Sequence, residues 1–196
     1  MEFTQIPTDT FKQLQLNAGI LCKNFNPSTR QVTGIIGATS GGVNFTATPA
    51  FIDFGEDIDN CPKNMKELKE LDEWEVKMSG TFITVTVEQG KGLVGAADID
   101  KRDPTKIVPR NTVEDTDFAD IWWVGDYSDV NSGEKPGFLA IRLISALSTG
   151  GFQIQSGDKA KGQFAFEYSG HYSMASPETV PFELFIASGE SSGVGA

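Results

Sequence analysis

A chain of 196 residues, 39% hydrophobic and 10% aromatic, suits one domain and is too apolar for global disorder; at this length folding buries roughly 70% of the unfolded surface. Its 16 basic against 27 acidic residues leave a net charge of −11. So acidic a surface repels polyphosphate, which excludes tight or sequence-specific nucleic-acid binding.

The 21 Gly and 14 Phe, among many Thr and Val, favour a β-rich fold with many turns. The opening "MEFTQIPTDTF" has neither the basic start nor the apolar run of a signal peptide. "GFLAIRLISAL" is broken by Arg142 and falls short of a membrane span. Cys22 and Cys61 lie far apart, with no zinc-motif spacing. Free thiols in a reducing cytoplasm are the simpler reading. Asn44-Phe45-Thr46 matches a glycosylation sequon by chance, given no secretion signal.

In chain order, residues 1–15 read as a polar N-terminal arm. "AGILCKNF" reads as a strand, "NPST" as a turn, and "QVTGIIGATSGGVNFTATPAFIDF" as strand, Gly-rich connection, strand. A short α-helix is predicted over about 64–72. Asn64 and Glu67 there form a capping box, and Met65, Leu68 and Leu71 an apolar stripe. In "EWEVKMSGTFITVTVE" (73–88), Trp74, Val76 and Met78 alternate with Glu75, Lys77 and Ser79. This is a long strand kinked near Gly80, or a pair with a tight turn. A second short helix is predicted over about 92–98, then an exposed, charged connection over 100–116. Residues 117–128, 138–149 and 161–173 read as strands, with a hairpin-like loop at 129–137. In the third, Phe164, Phe166 and Tyr168 share one face. "VPFELFIA" is the closing strand, and 188–196 a flexible tail. The expected fold is mainly β: a two-sheet antiparallel sandwich or barrel, in one domain spanning 1–187.

Candidate sites are few. "FIDFGEDIDNCP" gathers Asp53, Glu56, Asp57 and Asp59. As an EF-hand loop from Asp57 it fails at Cys61, Pro62 and Leu68. A glycosidase pair lacks a companion cleft signal. A solvated or subunit-contacting loop remains. His171 has no nucleophile elbow beside it and reads as structural. "ATSGGV" lacks a phosphate-loop lysine and reads as a turn. Trp122 and Trp123 should face opposite ways, one into the core and the other exposed or covered by a neighbouring molecule. No enzyme constellation emerges, and no cofactor or metal is called for.

The order and spacing of "LNAGIL", "GIIGATSGGVNF", "FIDFGEDIDNCPKNMKELKELDEWEVKMSGT", "LVGAADI", "ISALSTGGF", "KGQFAFEYSGHYS" and "VPFELFIA" cover nearly the whole chain. Together they resemble the major tail proteins, or tail tube proteins, of long, non-contractile-tailed bacteriophages of Gram-positive hosts and their prophages. The resemblance implies a β-sandwich with a flanking helix, stacked as hexameric rings. One sheet per subunit would join its neighbours in a continuous β-barrel around a channel. It further implies a virion protein, assembled in the host cytoplasm and without catalytic residues. Its partners would be copies of itself, a tape-measure protein, a tail terminator and tail-tip or baseplate proteins. DNA would be non-sticking cargo in transit.

On that expectation, Glu75, Ser79, Thr84, Thr86, Glu88 and Glu167 face the lumen, as the polar half of alternating strands. Acidic walls would repel phosphate over a Debye length of ~8–10 Å. The loop carrying Asp53, Glu56, Asp57 and Asp59 would meet Lys101, Arg102, Lys106 or Arg110 of another subunit. The rival reading is a carbohydrate-binding β-sandwich for host-surface adhesion, using Trp122 or Trp123. A hydrolase is the third.

Overall fold

The computed structural model describes residues 6–7, 10–127 and 136–189. Most of the 129–137 loop and of the 188–196 tail, with much of the N-terminal arm, lie outside the described residues.

The strands are β1 (Gln15–Asn26), β2 (Gln31–Gly37), β3 (Thr39–Asp53), β4 (Lys69–Phe82), β5 (Ala97–Ile99), β6 (Ile107–Pro109), β7 (Ala119–Tyr127), β8 (Phe138–Ser148), β9 (Gln153–Gln155), β10 (Gln163–Ser169) and β11 (Phe182–Ala187). The single α-helix among the described residues, α1, spans Val87–Val94. Nine strands form one antiparallel ladder in the order β2-β1-β7-β8-β10-β4-β3, with β11 on β8 and β9 on β10. β5 and β6 make a separate small sheet.

The ladder folds into two halves. β8 pairs with β7 and β11 through its first part, then with β10 only at Leu147 and Ser148. A second crossing lies at Ala38, between β2 in one half and β3 in the other. The β1 half (β2-β1-β7-β8-β11) and the β4 half (β3-β4-β10-β9) therefore pack face to face as a sandwich. Leu21, Trp123, Ile141 and Leu143 from the first meet Val76, Met78, Phe82, Phe164, Phe166 and Tyr168 from the second.

Period-2 alternation accounts for the β4 half. Val76, Met78 and Phe82 point inward, and Glu75, Lys77 and Ser79 outward. The β1 half is apolar on both faces. Cys22, Phe25, Trp122, Phe138 and Ala140 form a second cluster on its far side. Both Trp122 and Trp123 are consequently buried, which corrects the expectation that one of them is exposed or left for a neighbour. Arg142 lies 5.6 Å over the Trp122 ring, and Phe185 packs on it at 5.3 Å.

Three local expectations are corrected. Residues 64–72 are not an α-helix: a 3-10 turn at Lys66–Leu68 leads directly into β4. A two-turn helix is marginal alone, and here Lys69, Glu70 and Leu71 pair instead with Asp53, Ile52 and Phe51. The second helix lies at Val87–Val94 rather than 92–98, because Thr86 Oγ1 caps it by accepting the Gln89 N–H and Gly95, at φ 84°, ends it. "ATSGGV" is not a turn: after Ala38 it belongs to β3, as a register shift between Thr39 and Val43 made by Gly41 and Gly42 at positive φ. β4 runs unbroken through Ser79-Gly80 to Phe82, and the 100–116 connection contains β6.

Candidate functional site

The outer face of the β4 half is polar. Asn44, Ser79 and Glu167 form one cross-strand row, and Thr46, Lys77 and Ser169 the next. Glu75 lies two residues before Lys77 on β4, opposite Thr48. Of the six residues expected on a lumen face, Glu75, Ser79 and Glu167 thus share one surface. Thr149 Oγ1 ties it together, 3.2 Å from Glu167 Oε1 and 2.9 Å from Ser169 Oγ. Lys77, absent from the expected set, sits within this face and pairs with Glu75. Its hydrogen bond to Glu75 raises its pKa above the ordinary lysine value. The surface is therefore hydroxyl-rich and only weakly acidic.

Thr84, Thr86 and Glu88 are not on a strand, which corrects their placement with the others. The strand ends at Phe82, and Ile83 N–H makes one further bond, to Ala38 O, before the chain leaves the ladder. Thr84 Oγ1 then accepts the Ala38 N–H at 3.3 Å. Thr86 caps α1, and Glu88 lies in its first turn.

The acidic stretch crowns a two-stranded ribbon. Within residues 50–53 and 69–73 no side chain is buried, and the ribbon stands clear of the sandwich. Asp53 organises its tip: one carboxylate oxygen accepts Gly55 N–H and the other Asn64 N–H, each at 2.9 Å. The Gly55 bond first, then the Asn64 bond, holds the Asp53 carboxyl below its usual range, against the opposing effect of burial. Glu56, Asp57 and Asp59 are exposed and have no ion pair among the described residues. Around them Phe51, Ile52, Phe54, Ile58, Met65 and Leu71 are all exposed apolar side chains.

The predicted cationic partners are divided. Arg110 is held within its own chain, 2.6 Å from Asp117, 2.8 Å from Asp98 and 3.2 Å from Glu114. Lys106 lies 3.7 Å from Asp100. Lys101 and Arg102 are exposed, with no ion pair among the described residues.

A second exposed apolar margin lies on β11. Its register with β8 places Leu184 beside Ile141 and Ile186 beside Leu139, on the core-facing side. Yet Leu184 is 53% and Ile186 67% exposed. β11 pairs only with β8, and β3 only with β4, so each leaves one backbone edge free among the described residues. Sequence reasoning missed this margin, because the alternation of "FELFIA" does not say what lies beyond the strand.

His171 serves the fold: its Nδ1 donates to Ser145 O at 3.1 Å, and its ring meets Phe118 edge-on. Among the described residues no group of three His, Cys, Asp or Glu could hold a metal ion, and no helix is long and apolar enough to cross a membrane. Cys22 and Cys61 are both free thiols. An open cleft of about 340 Å³ lies between β2, α1 and the β7–β8 pair. Gln89 lines it and is buried. No protein-family model matches the chain, and no curated protein is similar enough to count as a relative.

Proposed function

We propose that this chain is a tube-building structural subunit of the long-tailed phage type, stacking as hexameric rings around a channel for DNA in the virion. The observation that carries the reading is the pair of unfinished margins. β11 leaves Leu184 and Ile186 uncovered at a free backbone edge, and the β3–β4 ribbon stands out with apolar side chains on both faces. Exposed apolar edges are templates for further pairing, and a two-stranded ribbon is at best marginal by itself. A second copy would resolve both. Burying a Leu or Ile that is half exposed contributes on the order of 1 kcal/mol per side chain, and edge pairing adds backbone hydrogen bonds.

The polar outer face of the β4 half supports the same reading. The β1 half is apolar on both faces, whereas β3, β4 and β10 offer a broad surface of Thr, Ser, Asn and Glu with one Lys. Such a wall suits a channel through which a polyanion slides without binding. Tape-measure, terminator and tail-tip proteins are the partners such a tube requires. The glycan-binding alternative rested on Trp122 or Trp123, and both rings are buried. Negative-stain microscopy of the purified chain at high concentration tests the proposal. Regular tubes or rings support it, and isolated particles with glycan affinity would favour the adhesin.

A further inference from the structure

Gln89 is 5% exposed, and both polar atoms of its carboxamide, Oε1 and Nε2, are buried without a hydrogen-bond partner. A buried amide normally finds partners for its donors and acceptor. The carboxamide lies against Gly37 at the end of β2, where a Cβ would come within 2.6 Å of Nε2. It borders the cleft of about 340 Å³ described above.

The charges around that cleft are uneven. Asp117 and Asp120 line it but are neutralised, by Arg110 at 2.6 Å and Arg142 at 2.7 Å. Lys23 and Lys91 line it with no ion pair among the described residues, against one unpaired carboxylate, Glu88. Ile35, also in the lining, is 66% exposed. The cleft thus offers two free ammonium groups and an apolar rim, with an unsatisfied carboxamide buried in its wall. The matching ligand is an acidic peptide segment with an apolar side chain.

The ribbon tip of this same chain has that chemistry. Glu56, Asp57 and Asp59 have no ion pair among the described residues, and Phe54 and Ile58 are exposed beside them. We infer that the cleft between β2 and α1 receives the ribbon tip of a second copy. A turn of the Gln89 side chain out of the wall lets the tip's backbone complete its hydrogen bonding, and the tip's carboxylates meet Lys23 and Lys91. This rests on the tube-subunit reading and names where one copy grips the next. It displaces Arg110 and Lys106, which are occupied within their own chain, as the partners of the acidic loop.

Cys61 is native to the tip and only partly covered, whereas Cys22 is buried, so a disulfide trap reports the contact. In the full chain carrying Lys91→Cys, mild oxidation of assembled protein should give a ladder of covalent multimers on a non-reducing gel. Adding Cys61→Ser should abolish the ladder, and Lys101→Cys should give none. Lys23→Glu with Lys91→Glu should raise the concentration needed for assembly roughly tenfold, with unchanged thermal unfolding of the free subunit. Gln89→Leu should raise the melting temperature of the free subunit while weakening assembly, which a purely structural amide would not do. Tubes that form without a Lys91→Cys ladder, or with an equal ladder from Lys101→Cys, would overturn the docking site and leave the tube reading standing. A wild-type chain that never associates would overturn both.

Discussion

Asp120 reaches from β7 to accept the backbone N–H of Ser145 at 3.1 Å, where β8 passes from one half of the sandwich to the other. Ser145 has φ 47°, a conformation that L side chains rarely adopt. His171 Nδ1 donates to the carbonyl of the same residue at 3.1 Å, so both backbone groups of the corner are held by side chains. The other Asp120 oxygen accepts Arg142 Nε and Nη2 at 3.0 and 2.7 Å. Asp120→Ala should therefore cost about 1–3 kcal/mol and lower the melting temperature by several degrees. His171→Ala, losing one neutral hydrogen bond and a ring contact, should cost about 0.5–1.5 kcal/mol. Denaturant unfolding checks both. Changes near zero would mean that the corner is held by strand pairing alone.

Gly19 is a second constrained point. It has φ 69°, within the register shift of β1 between Leu16 and Ile20. A Cβ there would lie 2.6 Å from the Trp123 ring and 2.7 Å from Val124 O. The close approach also lets Trp123 Nε1 donate to Ala18 O at 3.0 Å. Gly19→Ala combines backbone strain with a clash against a core aromatic. An expected loss of about 2–4 kcal/mol follows, read from the unfolding midpoint.

At the ribbon tip, pH should act through Asp53. Its folded pKa is depressed by the Gly55 and Asn64 N–H bonds. The stabilisation is then fully present above the unfolded value and is lost as pH falls through the folded one. Amide exchange at Gly55 and Asn64, corrected for intrinsic rates, should show loosening only in the acid range below the ordinary Asp value. Asp53→Asn should loosen the tip at neutral pH and remove that acid step.

The two thiols should behave differently. Cys22 is fully buried, and burial raises its pKa to about 11. Cys61 is only partly covered, its Sγ lying 3.4 Å from Met65 Sδ. A thiol reagent should label one cysteine rapidly in the native subunit and both after denaturation. In assembled tubes the Cys61 reaction should slow, because the tip is then covered.

On the proposed channel wall, Glu75→Lys would remove the partner of Lys77 and leave two neighbouring lysines on that face. DNA ejection from phage carrying it should slow while tubes stay intact. Unchanged ejection would count against this face as the lumen. Glu88→Lys, on α1, should not share that effect.

Strands with one wet face were legible. Phe164, Phe166 and Tyr168 alternate with polar neighbours and are all buried. Trp122 was not, because the β1 half buries both faces and alternation then carries no sign of exposure. The helix expected over 64–72 rested on Met65, Leu68 and Leu71. That spacing fits a helical stripe, but the long-range pairing of Leu71 with Phe51 decided the outcome. Thr84, Thr86 and Glu88 continued an alternation past Phe82, where a capping Thr starts a helix instead. The acidic loop was recognised as a connection. Its projection on a bare ribbon, and the cation supply spent on Arg110, depend on contacts that spacing does not encode.

Hydrogen exchange along β3 and β11, compared between dilute and concentrated protein, tests most directly whether strands are shared between copies. Strand sharing predicts that free-edge amides of β11, around Leu184 and Ile186, exchange rapidly when dilute and become strongly protected on association, together with the ribbon. Equal exchange at those amides at every concentration, in a chain that remains a single copy, would contradict it.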